Sequence, residues 1–322
     1  MKYTIGVDLG GTKMCAGLVD EDYKIIDKVK APTGAERESG LILADLAAIC
    51  REVCEKNGVS LSCVQGIGIA IPGAVVPETG VVVYSCNLPS FKDLSVTEEL
   101  KKLTGVDSIE IANDANAAAL GEAVAGAAKG TKSSVMITLG TGVGGGVIID
   151  GKILTGINGA AAELGHTVVK TDGELCSCGR RGCFEVYSSA TALKRMTAEA
   201  IKRAISLDIE TEMIKAAGGD PDNADTRIAF ECARNGDVEA QKLVDEYVKD
   251  LGCGLTNMIN TFQPEVLSIG GGISGEGDYL LKPLLPIIEH EQYTRHFGVK
   301  TQLKIAELGN DAGIIGASAL IK

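Results

Sequence analysis

Apolar and polar positions alternate in short blocks at the start of the chain. Tyr3 to Asp8, Met14 to Val19 and Lys24 to Val29 are apolar-rich runs separated by GGTK and DEDY turns, and they read as three antiparallel strands. From Glu36 to Asn57 the period changes. Leu43, Leu46, Ala47, Cys50, Val53 and Cys54 recur at helical spacing and predict a helix with one buried face. Val64 to Ile71 then predicts a buried strand that ends at Pro72-Gly73. Ser95 and Glu98 stand at capping-box spacing, which predicts a short helix through Leu103. Ser108 to Ala112 predicts a strand closing at Asn113-Asp114, just before an alanine-rich helix.

Beyond residue 130 the opening order returns. Ser134 to Leu139 is a predicted strand, GTGVGGG a turn, Val147 to Ile149 a strand, Asp150-Gly151 a turn and Lys152 to Thr155 a third strand. Laid without gaps, Asp8-Leu9-Gly10 falls on Thr138-Leu139-Gly140 and Leu18-Val19-Asp20 on Ile148-Ile149-Asp150, at a constant offset of 130 residues. Two glycine-rich hairpins can look alike by chance, but a repeated order of elements points to duplication. Later patterns complete the second copy: a helix from Val238 to Phe262, a strand Glu265 to Ile269 running into Gly270-Gly271-Gly272, a helix Tyr279 to Glu289 and a strand Gln302 to Leu308. The expectation is two α/β domains facing each other across a cleft. The first covers 1–115 and the larger second covers 116–310, with a helix in 311–322 packing back on the first.

Composition narrows the partners. The 322 residues are enough for about two domains, and the 41 glycines, placed after apolar runs, suggest backbone sites built for ligands. A formal charge of -12 argues against a phosphate-backbone grip on nucleic acid. It leaves a nucleotide open, because a divalent cation and aligned amides offset charge locally. The start MKYTIGVDLGGTK lacks the long apolar stretch of a secretion signal, and no run approaches the roughly 20 apolar residues a membrane helix needs. Cys15, Cys50, Cys54, Cys63, Cys86, Cys232 and Cys253 are scattered singly, as reduced thiols of a cytoplasmic protein would be.

Several motifs carry chemistry. In Asp8-Leu9-Gly10-Gly11-Thr12-Lys13 a carboxylate able to hold magnesium precedes glycines whose amides can approach a phosphate; an ordinary hairpin turn is the alternative. Gly140-Thr141-Gly142 is a second candidate phosphate loop, and Gly270-Gly271-Gly272 is a backbone opening for adenosine. No Walker A sequence is present. Asp114 either caps its helix or accepts the proton of an attacking hydroxyl, with Asn113 orienting the acceptor. His166, Cys176, Cys178 and Cys183 form a closed tetrahedral zinc set of structural type; a C-x-C redox pair is the rival reading. Zinc there would clamp a loop between Glu163 and Glu185, which are acceptors for sugar hydroxyls or, alternatively, solvated surface charges.

Taken together, DLGGTK, AND, LGTGVGGG, ELGH and the segment from His166 through CSCGRRGC to Glu185 resemble, in order and over essentially the whole chain, the ROK family of sugar kinases and sugar-responsive repressors. The resemblance implies a duplicated actin-like, hexokinase-like (ribonuclease H-like) fold. It implies ATP-dependent phosphorylation of a hexose at the 6-hydroxyl, glucose first, with N-acetylmannosamine, N-acetylglucosamine, mannose or fructose as alternatives and a non-catalytic sugar-responsive regulator as the different class. ATP, Mg2+ and structural Zn2+ are the implied cofactors, and a homodimer or homotetramer the implied assembly. Asp114 matches the family base. Asn87, Asn113, Glu163, His166 and Glu185 match sugar-contacting positions, so His166 would serve both zinc and sugar. Asp8, Gly10, Gly11 and Thr12, then Gly140, Thr141 and Gly142, match the phosphate motifs, and Gly270 to Gly272 the adenosine region. Two departures, Ser90-Phe91 in place of Gly-Trp and Ala162 where glycine is common, are expected to lie near the sugar.

Overall fold

The computed structural model describes residues 2–321. Strand β1 (Tyr3–Leu9) pairs antiparallel with β2 (Lys13–Asp20), and β2 with β3 (Ile25–Pro32). Helix α1 (Ser39–Lys56) follows, and β4 (Ile67–Ile71) returns parallel to β1. Three short strands, β5 (Ala74–Val76), β6 (Val81–Tyr84) and β7 (Lys92–Ser95), form a separate sheet before α2 (Val96–Thr104). Strand β8 (Ile109–Asn113) joins β4 in parallel and leads directly into α3 (Asp114–Ala125). The second hairpin set is β9 (Ser133–Leu139), β10 (Val143–Ile149) and β11 (Lys152–Ile153). Helices α4 (Glu185–Ser188), α5 (Ala190–Ser206), α6 (Glu212–Ala216), α7 (Ile228–Arg234) and α8 (Val238–Phe262) come next. Then follow β12 (Val266–Gly270), α9 (Asp278–Glu291), β13 (Gln302–Ile305) and α10 (Ala312–Ala319).

The two five-stranded sheets run β3-β2-β1-β4-β8 and β11-β10-β9-β12-β13, one topology used twice. This is the duplication expected from the 130-residue offset. By chain contacts the molecule divides into two compact units. The first contains the residues up to Met136, Gly145–Ala162 and those from Ala306 onward; the second contains Ile137–Gly144 and Glu163–Ile305.

In the first unit the strands need cover on both faces, because β4 is buried along its whole length. Ile5, Val7 and Leu9 of β1 and Ile67, Ile69 and Ile71 of β4 point one way, into a core with Ile42, Leu43, Leu46 and Val53 of α1. The intervening Gly6 and Gly68 face α10. A methyl on Gly68 would sit 1.8 Å from the carbonyl oxygen of Ala317, and one on Gly316 of α10 would sit 1.6 Å from that of Ala117 in α3. These glycines therefore serve close packing of backbone on backbone, a use that the ligand-centred reading of the glycine count did not foresee.

Some local signals misled. Ser95 makes no side-chain capping bond, because it ends β7 and pairs with Val81. Helix α2 relies instead on Glu98 and Glu99 in its first turn and a left-handed Gly105 after its last. The β5-β6-β7 sheet was unforeseen: its strands are three or four residues long, below what alternation can resolve. The helices between residues 190 and 234 were not anticipated either. No helix among the described residues is long and apolar enough to cross a membrane.

Candidate active site and metal cluster

The first glycine turn closes with Gly10 N–H donating to the Lys13 carbonyl at 3.0 Å. Thr33, fully buried, fastens it from beside: its hydroxyl donates to Gly10 O at 2.7 Å and its amide to Thr12 O at 3.0 Å. Asn87 lies against Gly11, whose added methyl would come within 3.0 Å of the Asn87 carbonyl oxygen. Asn87 therefore sits against the turn that joins Asp8 and Gly10 to Thr12 and Lys13, at Gly11. Thr33 follows a strand-ending proline, and no motif in the sequence marks it as part of the site.

Asp8 and Asp114 share this end of the first unit. Burial is the main cause that raises the Asp8 pKa, the Asp114 charge adds to it, and Lys13 partly opposes both. Burial also raises Asp114, although hydrogen bonds from its own and the following amide and from Asn113 work against the rise. Asp114 is nevertheless exposed to solvent, which limits the rise. A pair of crowded carboxylates that disfavour each other's charge is a fitting environment for a divalent cation, which would relieve both.

The capping alternative for Asp114 is resolved by its neighbour. Asn113 is the N-cap of α3, its side-chain oxygen accepting from Ala115 N at 3.0 Å and Asn116 N at 3.2 Å. The Asn113 amide nitrogen donates to the Gly73 carbonyl at 3.1 Å, tying the helix start to the end of β4. With both acceptor bonds used, a further contact from Asn113 must come from its amide nitrogen. Asp114 stands at the first helical position, where its Oδ1 shares the Ala115 amide at 2.9 Å.

The second unit holds the remaining groups. Gly140 N–H donates to Gly142 O at 3.0 Å, repeating the bond that closes the first turn. Again a threonine braces the loop: Thr191 at the start of α5 donates to Thr141 O at 2.7 Å, and Ala190 N to Gly140 O at 2.8 Å. Gly270 ends β12. Gly271 has φ 86° and lies on the Leu139 backbone, where a methyl would meet the carbonyl oxygen at 2.4 Å, while the Cα face of Gly272 is open. A flat ring could approach Gly272 without a side chain in its way.

His166 ends a short turn of helix at Leu164–His166, with its amide donating to Glu163 O at 3.1 Å. The ligand atoms of His166, Cys176, Cys178 and Cys183 all lie within 4.8 Å of one another. Cys178 Sγ and Cys183 Sγ are 3.7 Å apart, and Cys176 Sγ is 3.6 Å from His166 Nδ1. Tetrahedral zinc, with bonds of about 2.3 Å to sulfur and about 2.0 Å to nitrogen, has edges of about 3.8 Å and about 3.5 Å, so these residues fit the ion. The same spacing is far beyond a disulfide, and all ten cysteines are unpaired. Without metal, burial pushes the Cys183 thiol up to about 12, whereas the backbone amide of Arg180 is the first cause that holds Cys178 down. Nδ1 facing the thiols leaves Nε2 of His166 for another partner.

The loop is seated on its own unit. Lys170 Nζ bonds the buried Asp250 of α8 at 2.6 Å and lies over the Tyr187 ring, whose hydroxyl accepts from Glu174 N at 2.7 Å. Glu185, intermediate in exposure, accepts from Val143 N at 3.0 Å. Of the two departures from the family pattern, Phe91 is fully buried in the core of the first unit and so does not line a ligand site. Ala162 has φ 64°, a left-handed backbone that favours glycine and explains why glycine is common there.

Braced glycine turns, a carboxylate at a helix start and a cluster of one imidazole and three thiols on a duplicated α/β frame are the features a phosphoryl-transfer protein would need. A family model for the ROK family matches residues 4–322, and the chain belongs to that family. A glucokinase of Thermotoga maritima is 40% identical over 319 residues, 99% of this chain and 96% of the relative. An N-acetylmannosamine kinase of Escherichia coli is 30% identical over 317 residues, 98% of this chain and 97% of the relative. Among solved structures, a ROK family glucokinase from Streptomyces griseus in complex with glucose and AMPPNP superposes with TM-score 0.79 at 33% identity, covering 99% of both chains. The hexokinase-like two-domain fold expected from the sequence is thus the fold of the protein.

Proposed function

We propose that the protein is an ATP-dependent sugar kinase that converts glucose to glucose 6-phosphate, with Asp114 as general base. The observation that carries this is a carboxylate at the first position of α3, just after the N-cap Asn113, with a raised pKa and near enough to Asp8 for its charge to raise that residue as well. The 6-hydroxyl oxygen attacks the γ-phosphorus, the new O–P bond forms as the bond to the bridging oxygen of ADP breaks, and the hydroxyl proton passes to Asp114. Gly10 to Lys13 and Gly140 to Gly142 cradle the phosphates, and Gly270 to Gly272 accept the adenosine. Asn87, Asn113, Glu163, His166 and Glu185 bind and orient the sugar. Asp8 holds magnesium, which supplies charge neutralisation at the transferring phosphoryl group when bound. His166, Cys176, Cys178 and Cys183 hold zinc, which supplies a structural clamp on the loop between Glu163 and Glu185.

The ten unpaired cysteines support work in a reducing cytoplasm, in the opening steps of sugar catabolism. A homodimer or homotetramer is the assembly we propose, checked by light scattering. The relationship to the N-acetylmannosamine kinase supports a second reading in which an N-acetyl sugar is the acceptor. Both readings are tested by one ADP-release assay with magnesium-ATP against glucose, mannose, fructose, N-acetylglucosamine and N-acetylmannosamine. Glucose should give the highest kcat/KM, and a lead for an acetylated sugar would move the substrate while keeping the mechanism. Asp114→Asn should lower kcat by about 10²- to 10⁴-fold while the protein stays folded; near-normal turnover would remove Asp114 from the role.

A further inference from the structure

Within the second unit, one side chain touches both the metal loop and the second phosphate loop. Glu185 Oε2 accepts the amide hydrogen of Val143, the residue that follows Gly140-Thr141-Gly142. The same oxygen fills the space beside Gly142, where an added methyl would lie 2.3 Å from it. The other oxygen, Oε1, is 3.5 Å from the Ser177 hydroxyl and 3.8 Å from Cys176 Sγ. Glu185 is also two residues beyond Cys183, at the head of α4. Its backbone and its carboxylate are therefore both set by the cluster.

We infer that Glu185 is a positioning residue that transmits the state of the metal loop to the phosphate loop, so that metal binding and nucleotide binding are coupled. The inference rests on the kinase reading and extends it: beyond a sugar contact, Glu185 holds the Val143 amide. Metal ligation by Cys176, Cys178 and Cys183 fixes both neighbours of Ser177 and the residue two before Glu185. With Oε1 held, Oε2 stays on the Val143 amide and keeps the turn Gly140 to Gly142 in its closed form. With the cluster empty, the loop loosens, Glu185 swings, and the phosphate turn loses one of its supports. The brace from α5 through Ala190 and Thr191 remains, so the turn weakens without collapsing.

The coupling is reciprocal by linkage and can be read from binding alone. ADP affinity is measured by calorimetry, with magnesium and without sugar, for zinc-loaded and zinc-stripped protein, with zinc content determined for each sample. Stripping should weaken ADP binding at least about fivefold in the wild type. Zinc-loaded Glu185→Ala should bind ADP as weakly as stripped wild type, and stripping it should change affinity by less than about twofold. Glu185→Gln keeps an acceptor for Val143 and a partner for Ser177, so it should restore the wild-type response. An equal response to stripping in wild type and Glu185→Ala would overturn the coupling while leaving the kinase reading intact. Absence of ADP binding from every zinc-loaded sample would overturn both.

Discussion

Asp114 is a single residue whose charge the fold holds at a cost to stability. Its pKa in the fold is raised above the ordinary 3.8, chiefly by burial, so the folded protein disfavours the ionised form. For a carboxylate shifted this way, the penalty grows as pH rises from the unfolded value and is fully present above the folded one. Replacing Asp114 by Asn should therefore raise Tm at pH 7, and the gain should disappear as pH falls through the folded pKa toward 3.8. An unchanged or lowered Tm at pH 7 would contradict the burial argument. The acid limb of kcat/KM should likewise lie above the usual carboxylate range, activity falling as Asp114 takes up a proton. Asn113-Asp114 was legible in the sequence as a pair but not as a division of labour. Either residue is a good cap, and only the backbone of the turn decides which one caps.

At the scale of elements, what could be read early was whatever rests on local periodicity. The three opening strands, the helix after them, the long α8 and the strand leading into Gly270 all announce themselves by spacing. His166, Cys176, Cys178 and Cys183 stand out by thiol and imidazole spacing, and the fold gathers their side-chain ligand atoms within 4.8 Å of one another. Supports supplied from a distance were not legible. Thr33 beneath the first turn, Thr191 beneath the second, and Glu185 against Val143 are joined by folding rather than by sequence neighbourhood. The packing glycines belong with them. Gly316 makes sense only once α10 lies on α3, where its Cα is within methyl distance of the Ala117 carbonyl. Gly316→Ala should cost about 3 kcal/mol or more in denaturant unfolding, since backbone rather than a movable side chain is in the way. A loss below 1 kcal/mol would show that the helix can lift at little cost.

The chain passes between its two units four times rather than once. The chain leaves its first unit after Met136, dips into the second for Ile137–Gly144, returns for Gly145–Ala162, and crosses again for Glu163–Ile305 before ending in the first. Neither unit can be expressed as one uninterrupted stretch, so exchange between relatives must swap several segments together. Mechanically, the two ends of the chain are anchored in the same body, β1 near one and α10 near the other, packed against each other. Tension applied through those ends loads the first unit and bypasses the second until the first has parted. In a single-molecule pulling experiment the first rupture should release β1 and α10, with the second unit opening only afterwards. Handles moved to Val238 and Phe297, both exposed on the second unit, should reverse that order. The path of the covalent thread, not the strength of either core, thus makes the second unit the mechanically sheltered one.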